Sequence, residues 1–402
     1  MVANKFFRKV LGNGMTIFLE KRDLPVVSVA YGVRSGGMNE TASEKGISHF
    51  IEHMIYKGTK RRKARQIAAE IEQKGGELNG FTDHDITAFW CKMPSKHLDT
   101  ALDVLTDMIK NSVFDPKELE KERKVIFEEI KMRRDSPNIY AIDQIHSLLF
   151  EKPFGSDLIG THETMNSITR EKIMKRFSEV YRPNNLILGV VGNADFSELV
   201  KFAEKNFGKE KGDGKSLFPK ITKKNDAVWE KRKGIDQVNL VFSFHVPLLT
   251  DKRCHAAYVL NTIMTGGMSS RLFSEIREKR NLAYAVEGNS SITNKFAYNL
   301  VYVGTSKDKA ENVKSLILAE FQKVSKKLSE KELATAKEQI IGDYEVSGEK
   351  SNARLHDLLQ EEVDGNAGNL YKLEENIRNV KLSDVKELAD IKNYSLFVLV
   401  PE

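Results

Sequence analysis

Two histidines and a glutamate near the start of the chain have the types and the spacing to bind and use a metal ion. His49, Glu52 and His53 fall in a segment whose pattern predicts a helix from about Lys45 to Tyr56. Residues four apart share one face of a helix, so the imidazoles of His49 and His53 can reach a single cation. Glu52 beside them can accept a proton from a metal-activated water, as in the inverted form of the zinc-peptidase motif. The alternative is a helix that carries two histidines and binds nothing.

A catalytic zinc usually takes three protein ligands and leaves one position for water, so a third ligand is expected on another element. A helix predicted from Pro116 to about Arg134 supplies candidates. At about 100° per residue, Glu122 and Glu129 lie on its apolar side together with Val125, and Glu128 lies on the opposite side. A buried carboxylate is costly unless a cation or hydrogen bonds compensate it. Glu129 and Glu122 are therefore better ligand candidates than Glu128, and the alternative for Glu122 is an ordinary residue at the edge of the buried face.

Strands and helices alternate around these two helices, and a similar order recurs later in the chain. Strands are predicted at Met15–Leu19, Val26–Val33, Thr87–Met93, Leu186–Val191, Asn239–His245, Ala297–Val303 and Leu396–Val400. Further helices are predicted at Ala64–Gln73, Leu98–Ile109, Phe196–Asn206, Ala256–Met264, Ala310–Val324 and Glu330–Tyr344. The recurrence indicates a duplicated unit of roughly 200 residues.

The predicted fold is α+β, with two similar α/β-sandwich halves in which helices cover a mainly antiparallel sheet. Residues 208–225 are rich in Lys and Gly and predict a linker. We therefore expect a zinc-binding catalytic domain at residues 1–207, the linker at 208–225 and a homologous domain without zinc at 226–402. The length of 402 residues agrees with two or three units, because about 150 residues per domain is usual.

Composition argues against several other classes of protein. The formal charge of +6 is spread through mixed-sign helices, with no basic stripe or module that would indicate a nucleic-acid partner. Only Cys91 and Cys254 are present, so a disulfide framework or a cysteine zinc site within the chain is not expected. The first residues lack a signal-peptide pattern, and no apolar run approaches about 18 residues. We expect a cytoplasmic protein with no membrane partner.

These motifs together resemble the pitrilysin-like (M16) metallopeptidases, in particular the short-chain branch that includes mitochondrial processing peptidase and its prokaryotic homologues. The resemblance rests first on His49-x-x-Glu52-His53 and on Glu129, which stands 76 residues after His53. The further matching segments are Gly75–Asn79, Pro153–Gly155, Ile159–Thr161, Tyr181–Asn185, Gly266–Leu272 and Arg277–Tyr284. It covers nearly the whole chain.

The resemblance implies a zinc endopeptidase, a hydrolase in which His49, His53 and Glu129 bind Zn²⁺, Glu52 is the base and Glu122 supports the ligands from behind. It also implies that Arg277 and Tyr284 hold the scissile carbonyl, although by spacing alone Arg277 is one of many helix-surface charges.

The resemblance further implies that an extended peptide or unfolded protein pairs with an exposed strand edge at Asn79, Gly80, Phe81 and Thr82. By the same resemblance a homodimer is expected, with Arg277 and Tyr284 facing a zinc on the partner chain. The alternatives are a heterodimer and a non-catalytic structural or assembly subunit of a larger complex.

Overall fold

Residues 5–402 are described by the computed structural model, and they form an α+β fold in which helices cover two separate sheets. The strands are β1 (Lys5–Val10), β2 (Thr16–Lys21), β3 (Val26–Val33), β4 (Glu77–Thr82), β5 (Thr87–Pro94), β6 (Leu186–Gly192), β7 (Ala227–Arg232), β8 (Val238–His245), β9 (Ala283–Ile292), β10 (Ala297–Thr305) and β11 (Ser395–Pro401).

The α-helices separate these strands along the chain. They are α1 (Ile47–Ile55), α2 (Ala64–Glu72), α3 (Leu98–Asn111), α4 (Pro116–Asp135), α5 (Pro137–Leu149), α6 (His162–Ser167), α7 (Arg170–Val180), α8 (Phe196–Phe207), α9 (Cys254–Thr265), α10 (Ala310–Lys327), α11 (Glu330–Ser347), α12 (Ser351–Val363), α13 (Leu373–Arg378) and α14 (Leu382–Ala389). Over residues 5–402, no helix combines the length and apolar character needed to cross a membrane.

The two sheets share one topology, which confirms the predicted similarity of the halves. In the first sheet the order is β1-β2-β6-β3-β5-β4, and in the second it is β7-β11-β8-β10-β9. Each sheet contains one parallel pair, which is β2 with β6 in the first sheet and β7 with β11 in the second. The other neighbours are antiparallel. Strand for strand, β2 to β6 therefore correspond to β7 to β11, and β1 is an addition to the first sheet.

The compact units of the chain are discontinuous in sequence. The first comprises the described residues up to Ile130 together with Leu158–Pro219 and Ser347–Leu370, and the second comprises Lys131–Asp157, Lys220–Val346 and Tyr371–Glu402. They differ from the continuous stretches 1–207 and 226–402 because α5 packs on β8 and β11 of the second sheet, whereas α12 packs on β3 and β6 of the first. The helical surfaces that cover these sheets thus come from distant parts of the chain.

Part of the predicted linker is fixed to the first unit by hydrogen bonds. The Lys215 amide donates to the Glu179 carbonyl at 2.9 Å, and the Gly214 amide donates to Asn184 Oδ1 at 2.8 Å. Farther along, Asn39 Nδ2 donates to the Leu217 carbonyl at 2.6 Å. This part of the stretch lacks helix and strand, as its composition predicts, but it lies along the surface of the first unit.

A buried ion cluster anchors α12 within the first unit. Glu362 is fully buried, and its carboxylate accepts hydrogen bonds from Arg8 Nε and Nη2 at 2.7 and 2.8 Å and from Arg34 Nη2 at 2.6 Å. The Ala367 amide donates to the same carboxylate at 3.0 Å. Burial alone would raise the pKa of Glu362, but these donors outweigh it and lower the pKa below its ordinary value.

We expect Glu362→Gln to lower the free energy of unfolding by about 3–5 kcal/mol at pH 7, because it leaves two arginines without their buried partner. The folded pKa lies below the unfolded pKa of about 4.3, so the stabilisation is complete above that pH and disappears as the pH falls through the folded pKa. Denaturant unfolding between pH 7 and pH 3 measures the difference. The exposed Glu349→Gln serves as the control, and a gap that persists undiminished at pH 3 would contradict the assignment.

Candidate metal centre

The helix that carries the two histidines begins where a glycine and a buried carboxylate fix its first turn. Gly46 precedes α1 with φ of +90°, a conformation that favours glycine, so the helix starts at Ile47 and not at the predicted Lys45. Glu40 accepts hydrogen bonds from the amides of Gly46 at 3.0 Å and Ser48 at 2.8 Å. Two of the amides that the first turn leaves unpaired are therefore satisfied by one carboxylate.

The apolar side of α1 packs into the core of the first unit, and this fixes the opposite side. Phe50, Ile51 and Met54 are buried in the core cluster. At about 100° per residue, residues 49, 52 and 53 lie on the other side of the helix from these core positions. The helix contacts β4 and β5. Packing of the apolar stripe thus orients both imidazoles and the Glu52 carboxylate together.

The third predicted ligand comes from α4, whose start is capped as the sequence predicts. Asp115 Oδ1 accepts hydrogen bonds from the amides of Lys117 at 2.8 Å and Glu118 at 3.2 Å. Leu119 and Ile126 of this helix are buried, as is Glu122. Val125 departs from the predicted apolar face, because it is 48% exposed.

His49, His53 and Glu129 meet at one point, where their ligand atoms all lie within 4.8 Å of one another. Glu129 Oε2 is 3.5 Å from His49 Nε2 and 3.6 Å from His53 Nε2. Bonds of about 2.0–2.2 Å from a tetrahedral zinc place neighbouring ligand atoms about 3.3–3.6 Å apart. The separations and the donor set, two imidazoles and one carboxylate, therefore suit a zinc ion with one position left open.

Glu122 lies behind this group and contacts the far nitrogen of one histidine. Its Oε2 is 3.2 Å from His53 Nδ1, and its Oε1 is 2.7 Å from Lys57 Nζ. Burial would raise the pKa of Glu122, but these two partners outweigh it and lower the pKa. A hydrogen bond at Nδ1 leaves Nε2 of His53 to face Glu129 and the proposed cation, a common arrangement behind metal-binding histidines.

The same carboxylates act on His53. Burial lowers the pKa of His53, but the hydrogen bonds with Glu122 and Glu129 outweigh that effect and raise the pKa to about 9. The site thus favours positive charge at this point. Lys57 was not predicted from the sequence, although its position four residues after His53, just beyond the end of α1, was a signal.

Glu52 stands beside the two histidines in a partly buried position. Its pKa is raised to about 7, chiefly by burial and also by the negative charge of Glu129, against the opposing effects of His53 and a hydrogen bond from Thr82. Thr82 Oγ1 donates to Glu52 Oε2 at 3.5 Å. A carboxylate whose pKa lies near neutrality can both accept and return a proton.

If Glu122 orients His53, Glu122→Gln should weaken zinc binding by about 10–100-fold while the fold is retained. Competition with a fluorescent zinc chelator at fixed pH gives the affinity. Glu118→Gln is the matched control, since Glu118 lies one turn earlier on α4 and pairs with Lys121 at 2.7 Å. Equal affinities for Glu122→Gln and wild type would show that the His53 contact does not support the metal.

The predicted substrate strand is β4, which forms one edge of the first sheet and pairs there with β5. Asn79 is exposed, whereas Gly80, Phe81 and Thr82 are partly buried. The other long side of β4 has no strand partner among residues 5–402. Backbone groups on an edge of this kind can pair with another extended chain.

Arg277 and Tyr284 belong to the second unit. Arg277 lies in a π-helical segment, Phe273–Glu278, with its guanidinium 4.9 Å from the centre of the Phe273 ring. Tyr284 lies on β9, is 45% exposed and has its hydroxyl 3.3 Å from that of Tyr302. Both side chains are accessible, and their role towards a metal centre stays a prediction.

The fold and the site define a class of protein: two similar α+β units, one of which has a candidate centre of two histidines and one carboxylate beside two further acidic residues, Glu52 and Glu122. Comparison with known proteins places the chain within one family. Residues 16–162 match the family described as Insulinase (Peptidase family M16), and residues 167–340 match Peptidase M16 inactive domain. The chain belongs to peptidase family M16. The inactive-domain description applies to the part of the chain that follows the candidate metal centre.

Relatives in two bacteria are named as zinc proteases. An uncharacterized zinc protease of Rickettsia felis is 35% identical over 347 residues, covering 85% of this chain and 83% of the relative. Another, from Bacillus subtilis, is 34% identical over 351 residues, covering 85% and 84%. The crystal structure of a protease from Helicobacter pylori matches with a TM-score of 0.92 and 24% identity over 99% of this chain and 100% of that one, which supports the fold.

Proposed function

We propose that this chain is a zinc-dependent endopeptidase that hydrolyses peptide bonds in extended or unfolded peptides. One observation carries the proposal: His49, His53 and Glu129 present three ligand atoms within 4.8 Å of one another, the two distances from Glu129 suit tetrahedral zinc, and the Glu52 carboxylate lies beside them. The names of the relatives agree with a zinc protease. When bound, zinc would supply Lewis-acid chemistry, lowering the pKa of a water and polarising the peptide carbonyl.

Glu52 is the proposed general base. Its carboxylate accepts a proton from the attacking water and later delivers that proton to the nitrogen of the leaving amine, so the two transfers balance. The pKa of about 7 suits both transfers near neutral pH. The new C–O bond forms when water adds to the carbonyl, and the C–N bond breaks when the nitrogen receives the proton, so no covalent bond to the protein is required.

β4 is the proposed binding strand for the substrate backbone. Thr82, at the end of this strand, contacts Glu52, so a peptide paired along β4 would lie close to the base. Pairing through backbone groups gives broad sequence tolerance and requires an extended segment. Folded proteins would therefore be poor substrates.

Backbone pairing predicts a specific effect of N-methylation. Replacing single amide hydrogens by methyl groups along a cleaved peptide should reduce kcat/KM at alternate positions, because successive residues of a strand direct their amides to opposite edges. A matched series of peptides, each methylated once, measures this by chromatography. A uniform or absent effect along the series would contradict strand pairing.

Arg277 and Tyr284 are proposed to bind the scissile carbonyl, since a cationic donor and a phenolic hydroxyl both stabilise developing negative charge on oxygen. We further propose a homodimer in which the pair acts on the zinc site of the partner subunit, with a heterodimer as the alternative. Equilibrium sedimentation that found only monomer at micromolar concentration would contradict the homodimer. The cytoplasmic location stays a prediction.

The test of the proposed function uses mass spectrometry on a mixture of unstructured peptides. We expect zinc-loaded protein to cut many of them internally, chelator-treated protein to cut none, and a stably folded substrate protein to survive until it is denatured. Release of only terminal residues would contradict an endopeptidase. Failure to cut any peptide by correctly folded, zinc-loaded protein would favour the non-catalytic assembly subunit.

A further inference from the structure

A tyrosine hydroxyl is buried next to the proposed base without a hydrogen-bond partner among residues 5–402. Tyr56 directly follows α1, and its Oη atom is inaccessible to solvent although the residue as a whole is partly exposed. A buried hydroxyl without a partner is uncommon, because its loss of hydration is not compensated. Such a group therefore calls for a physical reason.

The backbone of β4 leaves space for this hydroxyl. A Cβ atom at Gly80 would overlap the Tyr56 oxygen, and it would stand 2.8 Å from the Ala88 carbonyl and 3.3 Å from Glu52 Oε1. The absence of a side chain at Gly80 thus brings together a hydroxyl, a carbonyl and the free side of the Glu52 carboxylate. The other carboxylate oxygen, Oε2, is the one that faces Thr82.

The helix also brings Tyr56 and Glu52 together. They are four residues apart, so their side chains are neighbours on one face. The negative charge of Glu52 raises the pKa of Tyr56, after burial, which is the larger cause. The hydroxyl therefore keeps its proton at neutral pH and acts as a donor. Glu52 has rotatable bonds that can carry Oε1 to the hydroxyl, and catalytic hydrogen bonds often shorten in the working complex.

We propose that Tyr56 is a positioning residue for Glu52: its hydroxyl donates a hydrogen bond to Glu52 Oε1, directly or through one water. Thr82 holds the other oxygen, so the two hydroxyls fix the orientation of the carboxylate towards the reacting atoms. This inference rests on the proposed function, in which Glu52 is the base. Small displacements of a catalytic group reduce turnover more than binding, because substrate contacts are kept.

The test compares Tyr56→Phe with wild type in the full-length chain, both with measured zinc content. We expect kcat to fall by about 10–100-fold while KM stays within about twofold and zinc content is unchanged. Tyr31→Phe is the matched control. Tyr31 is a fully buried tyrosine whose hydroxyl bonds Thr106 Oγ1 at 2.8 Å within the core, so its loss should lower Tm and leave kcat unchanged.

A second measurement does not depend on activity. Tm is measured for Tyr56→Phe in the wild-type background and in a Glu52→Ala background. A hydrogen bond to Glu52 predicts that the Phe variant has a lower Tm only when Glu52 is present. If the hydroxyl has no partner, the Phe variant should have a Tm equal to or higher than that of its parent in both backgrounds, because the cost of burying an unpaired hydroxyl is removed.

The two measurements separate the proposals. Unchanged kcat in Tyr56→Phe overturns the positioning role alone, and so does a Tm change that is independent of Glu52. If wild type cuts no peptide, the proposed function fails, and the Tm comparison still decides whether the hydroxyl bonds Glu52.

Discussion

Glu52→Gln should reduce peptide hydrolysis by about 10²–10⁴-fold or more while the protein stays folded and retains its zinc. Glutamine matches glutamate in size but cannot accept a proton at neutral pH, so the variant removes the base and leaves the ligands in place. Initial rates with one peptide that wild type cleaves give the effect, and elemental analysis of the same samples gives the zinc content.

The matched control for this variant is Glu72→Gln, an exposed glutamate at the end of α2 and outside the proposed binding strand. We expect it to keep the wild-type rate, which excludes a general effect of removing one negative charge from the first unit. Retention of more than about a tenth of wild-type activity by zinc-loaded Glu52→Gln would mean that another group accepts the proton.

The second large effect concerns metal binding. Glu129→Gln should lose zinc that wild type retains at about one ion per chain, and peptide hydrolysis should fall with it, because an amide is a much poorer zinc ligand than a carboxylate. The change is best measured by zinc content after dialysis against a weak chelator. The loss of zinc affinity should exceed the loss of about 10–100-fold expected for Glu122→Gln, because Glu122 contacts a ligand and is not itself one.

Glu128→Gln is the control for this experiment. Glu128 is adjacent in sequence and exposed, so the variant makes the same chemical change one helical position away. Wild-type zinc content in Glu128→Gln and loss in Glu129→Gln would assign the ligand. Equal zinc content in all three proteins would contradict the assignment of Glu129.

The arrangement of the candidate metal ligands was the part of this molecule most open to prediction from sequence, because helical geometry sets most of it. The spacing of His49 and His53 fixes their shared face, and the phase of α4 separates Glu129 from Glu128. Both helices occur at the predicted places, with boundaries shifted by at most two residues. The predicted place of Glu122 on the apolar side of α4 agrees with its burial.

Features that depend on distant contacts were not predictable. The pairing of Glu122 with Lys57 depends on how α1 and α4 pack, and the Glu362 cluster joins residues more than 300 positions apart. The surface-like pattern of β1, with alternating exposed and partly buried residues, gave little signal for a strand. The packing of α5 on the second sheet and of α12 on the first likewise depends on tertiary contacts, which no local sequence pattern predicts.

The shared topology shows which helix of the second unit corresponds to α1 of the first. α9 follows β8 in the second unit as α1 follows β3 in the first. α9 contains His255 but no second histidine or glutamate at ligand spacing. The correspondence also pairs β9, which carries Tyr284, with the edge strand β4. Similar frameworks can thus present different side chains, which supports separate roles for the two units.

One zinc ion, held by His49, His53 and Glu129, is proposed to make this chain a peptidase. The most direct measurement is a zinc titration of metal-free wild-type protein, in which bound zinc and the rate of peptide cleavage are followed in the same samples. We predict that cleavage rises in proportion to bound zinc and saturates at one ion per chain. Cleavage that persists without metal, or full occupancy of the site without cleavage of any unstructured peptide, would contradict it.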